Sequence, residues 1–301
     1  MEDSLREGGA MAYDASRLEA CLEHLGQTLG SLAQIEALDP VQREAVTGAV
    51  DGLLAQRDVF VERFADAFDR DALHAYRGAH RVPTGIPSAG DEIDQATVDE
   101  ALHYFALQRL AESCEPDSAG HLQRTAAYCR TFARELGCDA IFVDDLWYAA
   151  RLHDIGLIAV PRGIMDQRGQ IDSYERVLLD THTRAGAFLV NSVLDHLGLD
   201  EGPLVMARDV ALYHHERHDG LGVLGLEGEA IPYASRIFQF ADVYDALRRR
   251  RPHREPLDHE AAVAIIRAGN QHGAMQFDPQ LVEPFLACAP EFGRLHDEHA
   301  G

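Results

Sequence analysis

An all-α fold is predicted by three features of this 301-residue sequence. Apolar residues recur every three or four positions through most of its length, no segment alternates convincingly between apolar and polar, and glycine and proline gather between the periodic stretches. A hydrophobic content of 46% is enough for a sizeable core, and the length allows about two domains.

In the first element, Leu18, Cys21, Leu22, Leu25, Leu29 and Leu32 share one helical face, and Asp14 or Ser16 can cap its start. A second helix is expected after Asp39-Pro40, because aspartate is a good cap and proline suits the first turn. Its stripe runs through Val46, Val50, Leu53, Phe60, Phe64 and Phe68. Residues 78–92 read as a linker, since Gly78, Pro83, Gly85, Pro87, Ser88 and Gly90 all interrupt regular structure. From about Asp94 the helical period resumes with Val98, Leu102, Phe105 and Leu110. It persists to the C-terminus except from Gly220 to Pro232, a glycine-rich loop with at most a small hairpin. The expected organisation is an N-terminal helical domain with its linker over residues 1–90 and a helical bundle domain over residues 91–301. The N-terminal helices are candidates for homodimerisation or for receiving a signal from a protein partner.

Charge narrows the partners. Fifty acidic residues against 27 basic ones give a net charge of −23, and every basic residue is arginine; lysine is absent. DNA, RNA and anionic membranes need a basic face that replaces counterions, so none of them is expected as a partner. The absence of lysine also removes every lysine-dependent catalytic role. The five cysteines have no C-x-x-C spacing. The chain starts without the apolar stretch of a secretion signal, and no run is apolar for the roughly 18 residues of a membrane span. A cytoplasmic location with reduced thiols is expected.

The informative residues are metal-competent side chains at regular intervals in the second domain: His121, His153-Asp154, His182, His214-His215 and Asp242, separated by 27 to 32 residues. Such an interval is one helix plus its connection, so each group can sit on a different helix and face a shared interior. The local sequences agree. His153-Asp154 ends the apolar stretch Trp147 to Leu152, His214-His215 follows Val210-Ala211-Leu212-Tyr213, and Asp242 sits within Phe238-Gln239-Phe240-Ala241 and Val243-Tyr244. Buried imidazole and carboxylate are costly unless compensated, and a divalent cation compensates both. One ion takes roughly four to six ligands, several of them water at a catalytic site. Seven protein groups therefore exceed what one ion uses, and a bridging Asp154 between two ions accounts for the surplus. Imidazole and carboxylate without thiolate suit iron, manganese, nickel or zinc. Two ions about 3.5–4 Å apart hold a hydroxide for in-line attack on phosphorus, so the expected chemistry is phosphoester hydrolysis.

These residues resemble the HD-GYP branch of the HD phosphohydrolase superfamily. The likeness runs from about Asp117 through Phe285 and includes His121, His153-Asp154-Ile155-Gly156, Val160-Pro161, Glu175, His182 and Gly186. It continues through His214-His215-Glu216-Arg217-His218-Asp219-Gly220, Gly228-Glu229-Ala230-Ile231-Pro232, Arg236-Ile237, Ala241 to Leu247, Arg251-Pro252-His253-Arg254 and Phe277-Asp278-Pro279. The resemblance implies an all-helical domain with a buried centre of two or three divalent ions, iron or manganese foremost and zinc or nickel as alternatives. It further implies hydrolysis of the bacterial second messenger cyclic di-GMP to linear pGpG or onward to GMP. Carried over by position, His121, His153, Asp154, His182, His214, His215 and Asp242 are metal ligands. Asp117, four residues before His121, stands where trinuclear members carry a glutamate. Arg251 and Arg254 match positions that hold substrate phosphate, a task that suits the forked guanidinium, and Asp245 is expected beside them in the substrate site.

Two positions depart from the family pattern. Leu157 stands where lysine usually follows the His-Asp-Ile-Gly motif, and a drift from lysine to arginine does not explain a leucine. Val223 stands in the tyrosine place of the glycine-tyrosine-proline signature, with no proline after it and one residue fewer overall. Each lost charged hydrogen bond costs roughly 1.5–3 kcal/mol, about ten- to a hundredfold in rate if it acts in the transition state. Other readings therefore stay open: a weak or inactive module that binds a nucleotide or protein, a hydrolase of another phosphoester, or diiron oxygenation at the same centre.

Overall fold

A computed structural model describes residues 15–33, 95–114, 118–165, 172–250, 255–269 and 275–299. The helix expected after Asp39-Pro40 and the linker at 78–92 lie outside these residues. Helices supply the architecture: α1 (Ala15–Ala33), α2 (Gln95–Cys114), α3 (Ser118–Glu135), α4 (Ala140–Ala150), α5 (Arg162–Met165), α6 (Ser173–Asp180), α7 (His182–Leu197), α8 (Pro203–Tyr213), α9 (Tyr233–Arg248), α10 (His259–Ala268) and α11 (Pro279–Glu298). A 3₁₀ turn, Ile155–Ala159, follows α4. Among the described residues there is no strand, only one antiparallel bridge between Asp219 and Glu227 inside the glycine-rich loop.

Side-chain caps fix where several helices start. Asp139 accepts from the Phe142 amide at α4, and Asp258 accepts from the Ala261 amide at α10. At α6 Asp172 and Glu175 exchange reciprocal side-chain to backbone bonds, both of 2.8 Å, which is the capping-box arrangement. Pro203 opens α8, where its missing amide hydrogen costs nothing.

The core has two ends. At one, Phe132, Phe240, Phe277, Phe285 and Phe292 are buried together, joined by Tyr128 and Tyr244, with ring centroids 4.5 Å apart for Phe240–Phe277 and 4.7 Å for Tyr128–Phe292. The other end holds the polar residues of interest. Helix α9 separates them by its own period: Phe240 and Tyr244 face the aromatic cluster, while Phe238, Asp242 and Asp245 come round to the polar side. Helix α1 joins the same core as the bundle, with Cys21, Leu22 and Leu25 buried against it. The apolar face read from Leu22 and Leu25 is thus docked on the bundle, whose next described helix begins at Gln95.

Candidate metal centre

Each expected ligand within the described residues lies at or beside a helix end or on an inward helix face. His121 stands on the first turn of α3, and His153 and Asp154 occupy the turn between α4 and the 3₁₀ segment. His182 is the first residue of α7, His214 and His215 follow the last residue of α8, and Asp242 lies inside α9. Gly156 lets the turn reach α7. A Cβ there would sit 1.9 Å from the His182 carbonyl oxygen and 2.4 Å from the Gly186 nitrogen, both backbone atoms. Only glycine permits that approach, and it brings Asp154 beside His182.

Asp154 lies at the centre. Its Oδ2 is 3.0 Å from His153 Nε2, while its Oδ1 is 3.3 Å from His182 Nε2 and 3.5 Å from His214 Nε2. On the first side His121 Nε2 lies 3.3 Å from His153 Nε2 and 3.8 Å from Asp242 Oδ1. On the other, His182 Nε2 and His214 Nε2 are 3.1 Å apart, and His215 offers a third nitrogen to the same point. The seven side chains thus form two groups of three with one carboxylate between them.

The opposite edge of each ring fixes its tautomer. Nδ1 of His153 faces the Ala150 carbonyl at 2.9 Å, that of His182 the Leu179 carbonyl at 2.6 Å, and that of His214 the Val210 and Ala211 carbonyls at 3.0 Å. A carbonyl only accepts, so Nδ1 donates and Nε2 carries the lone pair in the neutral ring. His121 follows the same logic with a carboxylate: its Nδ1 donates to Asp245 Oδ2 at 2.8 Å. Two lone pairs about 3 Å apart cannot bond each other, but they are spaced as two ligands each about 2.0–2.1 Å from one ion. The donor set therefore fits divalent metal ions.

Electrostatics point the same way. Burial opposes a charged imidazole at His153, yet the adjacent Asp154 carboxylate raises its pKa to about 9, so the field there favours positive charge. Burial also opposes charge on Asp154, but His153, His182 and His214 hold its carboxyl well below the usual range. Burial pushes His214 down, and it pushes His215 well down with help from His214 and His182, so both favour the neutral, ligating form.

Asp245 departs from the sequence expectation. Expected in the substrate site, it is 0% exposed, with Oδ2 beside His121 and Arg124 Nη2 (3.0 Å) and Oδ1 beside Arg124 Nε (2.6 Å). Both its oxygens are engaged inside the protein, one of them with the ring of His121, an arrangement that orients the imidazole. Arg124 was not singled out from the sequence; its only signal is its place one turn after His121. Asp117, Arg251 and Arg254 lie outside the described residues.

The two departures from the family pattern acquire physical reasons. Leu157 is 6% exposed and packs with Cys114 and Val160, flanked by Ile158, Ile164, Met165 and Leu179. That apolar cluster suits leucine and penalises an ammonium group. The loop around Val223 is braced by Glu216, whose buried carboxylate accepts from the Leu224 amide (2.5 Å) and the Leu226 amide (2.6 Å). Gly222 allows this fold: a Cβ there would lie 2.5 Å from the Glu216 Cα. Asp219 anchors the loop's first side, paired with Arg217 and accepting from the amides of Met275 and Leu221.

Comparison with known proteins gives concordant results. A family model described as HD domain matches residues 106–281. A Vibrio cholerae protein named probable cyclic di-GMP phosphodiesterase is 35% identical over 191 residues, covering 60% of this chain and 43% of that protein. A second Vibrio cholerae protein, named cyclic di-GMP phosphodiesterase, is 35% identical over 207 residues, covering 66% and 41%. A third, named 3'3'-cGAMP-specific phosphodiesterase 1, is 32% identical over 253 residues, covering 82% and 56%. The chain thus spans about half the length of these curated relatives.

Proposed function

This chain belongs to the HD-domain family, and from that premise we propose that it is a metal-dependent phosphodiesterase that hydrolyses cyclic di-GMP. The observation that carries the reading is Asp154, whose two oxygens face different histidine groups at 3.0 and at 3.3–3.5 Å, so that it would serve both groups if each held an ion. In this reading His121, His153 and Asp242 hold one ion, and His182, His214 and His215 hold the other. Asp117 is the candidate for a third, and iron or manganese is favoured over zinc or nickel. Such ions, when bound, lower the pKa of water and neutralise charge developing on phosphate.

The chain's own residues do the rest. The carbonyls of Ala150, Leu179, Val210 and Ala211, with the Asp245 carboxylate, hold the imidazoles in their ligating tautomer before anything binds, so little reorganisation is needed at reaction. Arg251 and Arg254 are proposed to clamp the phosphates; on a chain of charge −23 an anionic dinucleotide needs such a local positive site. In the reaction a water oxygen bonds to phosphorus and the bond from phosphorus to the 3'-oxygen breaks. The proton passes to that leaving oxygen, giving linear pGpG, and a second round gives GMP. Residues 91–301 would form the catalytic domain. Residues 1–90 would form the N-terminal portion, suited to dimerisation or signal reception. No helix among the described residues is long and apolar enough to cross a membrane, which accords with the proposed cytoplasmic location.

Incubating the manganese-loaded chain with cyclic di-GMP, and in parallel with 3',3'-cGAMP, tests the reading. Faster pGpG formation from the first supports it, faster cleavage of the second reassigns the substrate, and metal-dependent binding without product favours a non-catalytic module.

A further inference from the structure

Three histidines converge at the other end of α7, away from Asp154. His24 on α1, His103 on α2 and His196 in the last turn of α7 each offer a ring nitrogen, and these nitrogens lie within 4.8 Å of one another. His24 and His196 stack with centroids 3.9 Å apart, and His103 stands 5.6 Å from the first and 5.5 Å from the second. His103 is only 5% exposed, and its Nδ1 donates to the Asp99 carbonyl at 2.8 Å, which leaves the lone pair on Nε2. That Nε2 is buried without a hydrogen-bond partner among the described residues, and so is Nδ1 of His24. Buried polar atoms are seldom left so, because each costs its lost hydration.

A hydrogen bond beside the histidines ties α1 to α7. One turn after His24 on α1 and one turn before His196 on α7, Thr28 Oγ1 and Ser192 Oγ are 2.8 Å apart, and Thr28 also donates to the His24 carbonyl. Burial, with His196 and His103 nearby, lowers the His24 pKa to about 4, and burial is the main cause that lowers His103 as well.

We propose that His24, His103 and His196 form a second metal site, separate from the Asp154 centre, which takes one zinc-class divalent ion and staples α1 to the catalytic bundle. Three imidazoles suit zinc, nickel, cobalt or copper, whereas magnesium and calcium require oxygen ligands. His103 carries the second interaction usual for a ligating histidine, its Nδ1–H held by a carbonyl. His196 is exposed, which gives the ion a path in and leaves a coordination position for water. Metal–nitrogen bonds of about 2.0–2.1 Å put tetrahedral ligands about 3.3 Å apart, so nitrogens that lie within 4.8 Å of one another must draw together by up to about 1.5 Å to share one ion. His182 opens the helix that His196 ends, and at 1.5 Å per residue the two lie about 21 Å apart along it. Residues 34–94 separate α1 from α2 in sequence, and this ion would add a metal bond to the Thr28–Ser192 hydrogen bond and the apolar packing that already join α1 to the bundle.

Zinc binding by the full chain tests this. The Asp154→Ala variant, stripped of metal and refilled with zinc, should retain one equivalent in this site and show a rise in Tm on zinc addition. Adding His196→Ala should remove both the equivalent and the Tm rise. In the chain with Asp154 intact, His196→Ala alone should lower zinc content by one equivalent while leaving phosphodiester hydrolysis by the manganese-loaded protein unchanged. His103→Gln should behave likewise in zinc content. Equal zinc content and equal zinc-induced Tm shifts with and without His196 would overturn the proposal.

Discussion

Replacing Asp245 with asparagine separates a residue that orients a ligand from one that touches substrate. Its two oxygens receive three donors, from His121 Nδ1 at 2.8 Å and from Arg124 Nε and Nη2 at 2.6 and 3.0 Å. Asparagine keeps the shape but can offer one oxygen only, and its amide hydrogens then meet a donor. Losing a charged hydrogen bond costs about 1.5–3 kcal/mol, and leaving a buried ion without its partner costs about 3–5 kcal/mol. The Arg124 side chain is only 11% exposed, so little of this is recovered from water. Asp245→Asn should therefore lower unfolding stability by about 3 kcal/mol in a denaturant titration. Loss of the His121 anchor should weaken metal binding by about 10–100-fold, read by competition with a chelator. At saturating metal the KM for cyclic di-GMP should stay the same. Unchanged metal affinity together with a raised KM would refute the reasoning and return Asp245 to the substrate site.

Gly156→Ala should push the His153-Asp154 turn off α7, because the new Cβ meets the His182 carbonyl at 1.9 Å; a loss of about 3 kcal/mol or more in stability, with reduced metal content, is expected. Asp154→Ala should release manganese and abolish hydrolysis, and full manganese occupancy in that variant would contradict the bridging role. Arg254→Ala should leave metal content intact and raise the KM for cyclic di-GMP about ten- to a hundredfold; a fall in kcat alone would count against a phosphate-binding role. Asp219, with its pKa held at about 2 chiefly by Arg217, should brace the loop fully above pH about 4 and lose its grip as pH falls towards 2. The sign follows from a folded pKa below the unfolded one. Exchange protection at the Met275 and Leu221 amides, measured against the intrinsic rate at each pH, should fall over that range, and Asp219→Asn should flatten the change.

Some of this was readable in the sequence for definite physical reasons. Helical period announced α1 through Leu22 and Leu25, because a face that must be buried repeats every turn. Paired His-Asp and His-His steps at the ends of apolar stretches announced a buried site, because hydrocarbon tolerates such groups only when something compensates them. The role of Asp245 was not readable, since a carboxylate three residues after Asp242 looks the same whether it faces substrate or His121; a contact across 124 residues of chain decides it. Glu216 was visible as part of a motif, but its bonds to Leu224 and Leu226 depend on a loop fold that Gly222 permits. Leu157 was visible only as a missing lysine until its neighbours, Cys114 and Val160, gave the position an apolar meaning. The His24, His103 and His196 group leaves no local trace, because its members come from three helices spread over most of the chain.

The residues around Asp154 are proposed to support metal-dependent hydrolysis of a cyclic dinucleotide. The most direct test is chromatographic measurement of pGpG and GMP formed from cyclic di-GMP by the manganese- or iron-loaded chain, with chelated protein and Asp154→Ala run in parallel. The loaded chain should yield pGpG, and neither control should yield any. Metal-dependent binding of cyclic di-GMP that leaves the nucleotide uncleaved would contradict it.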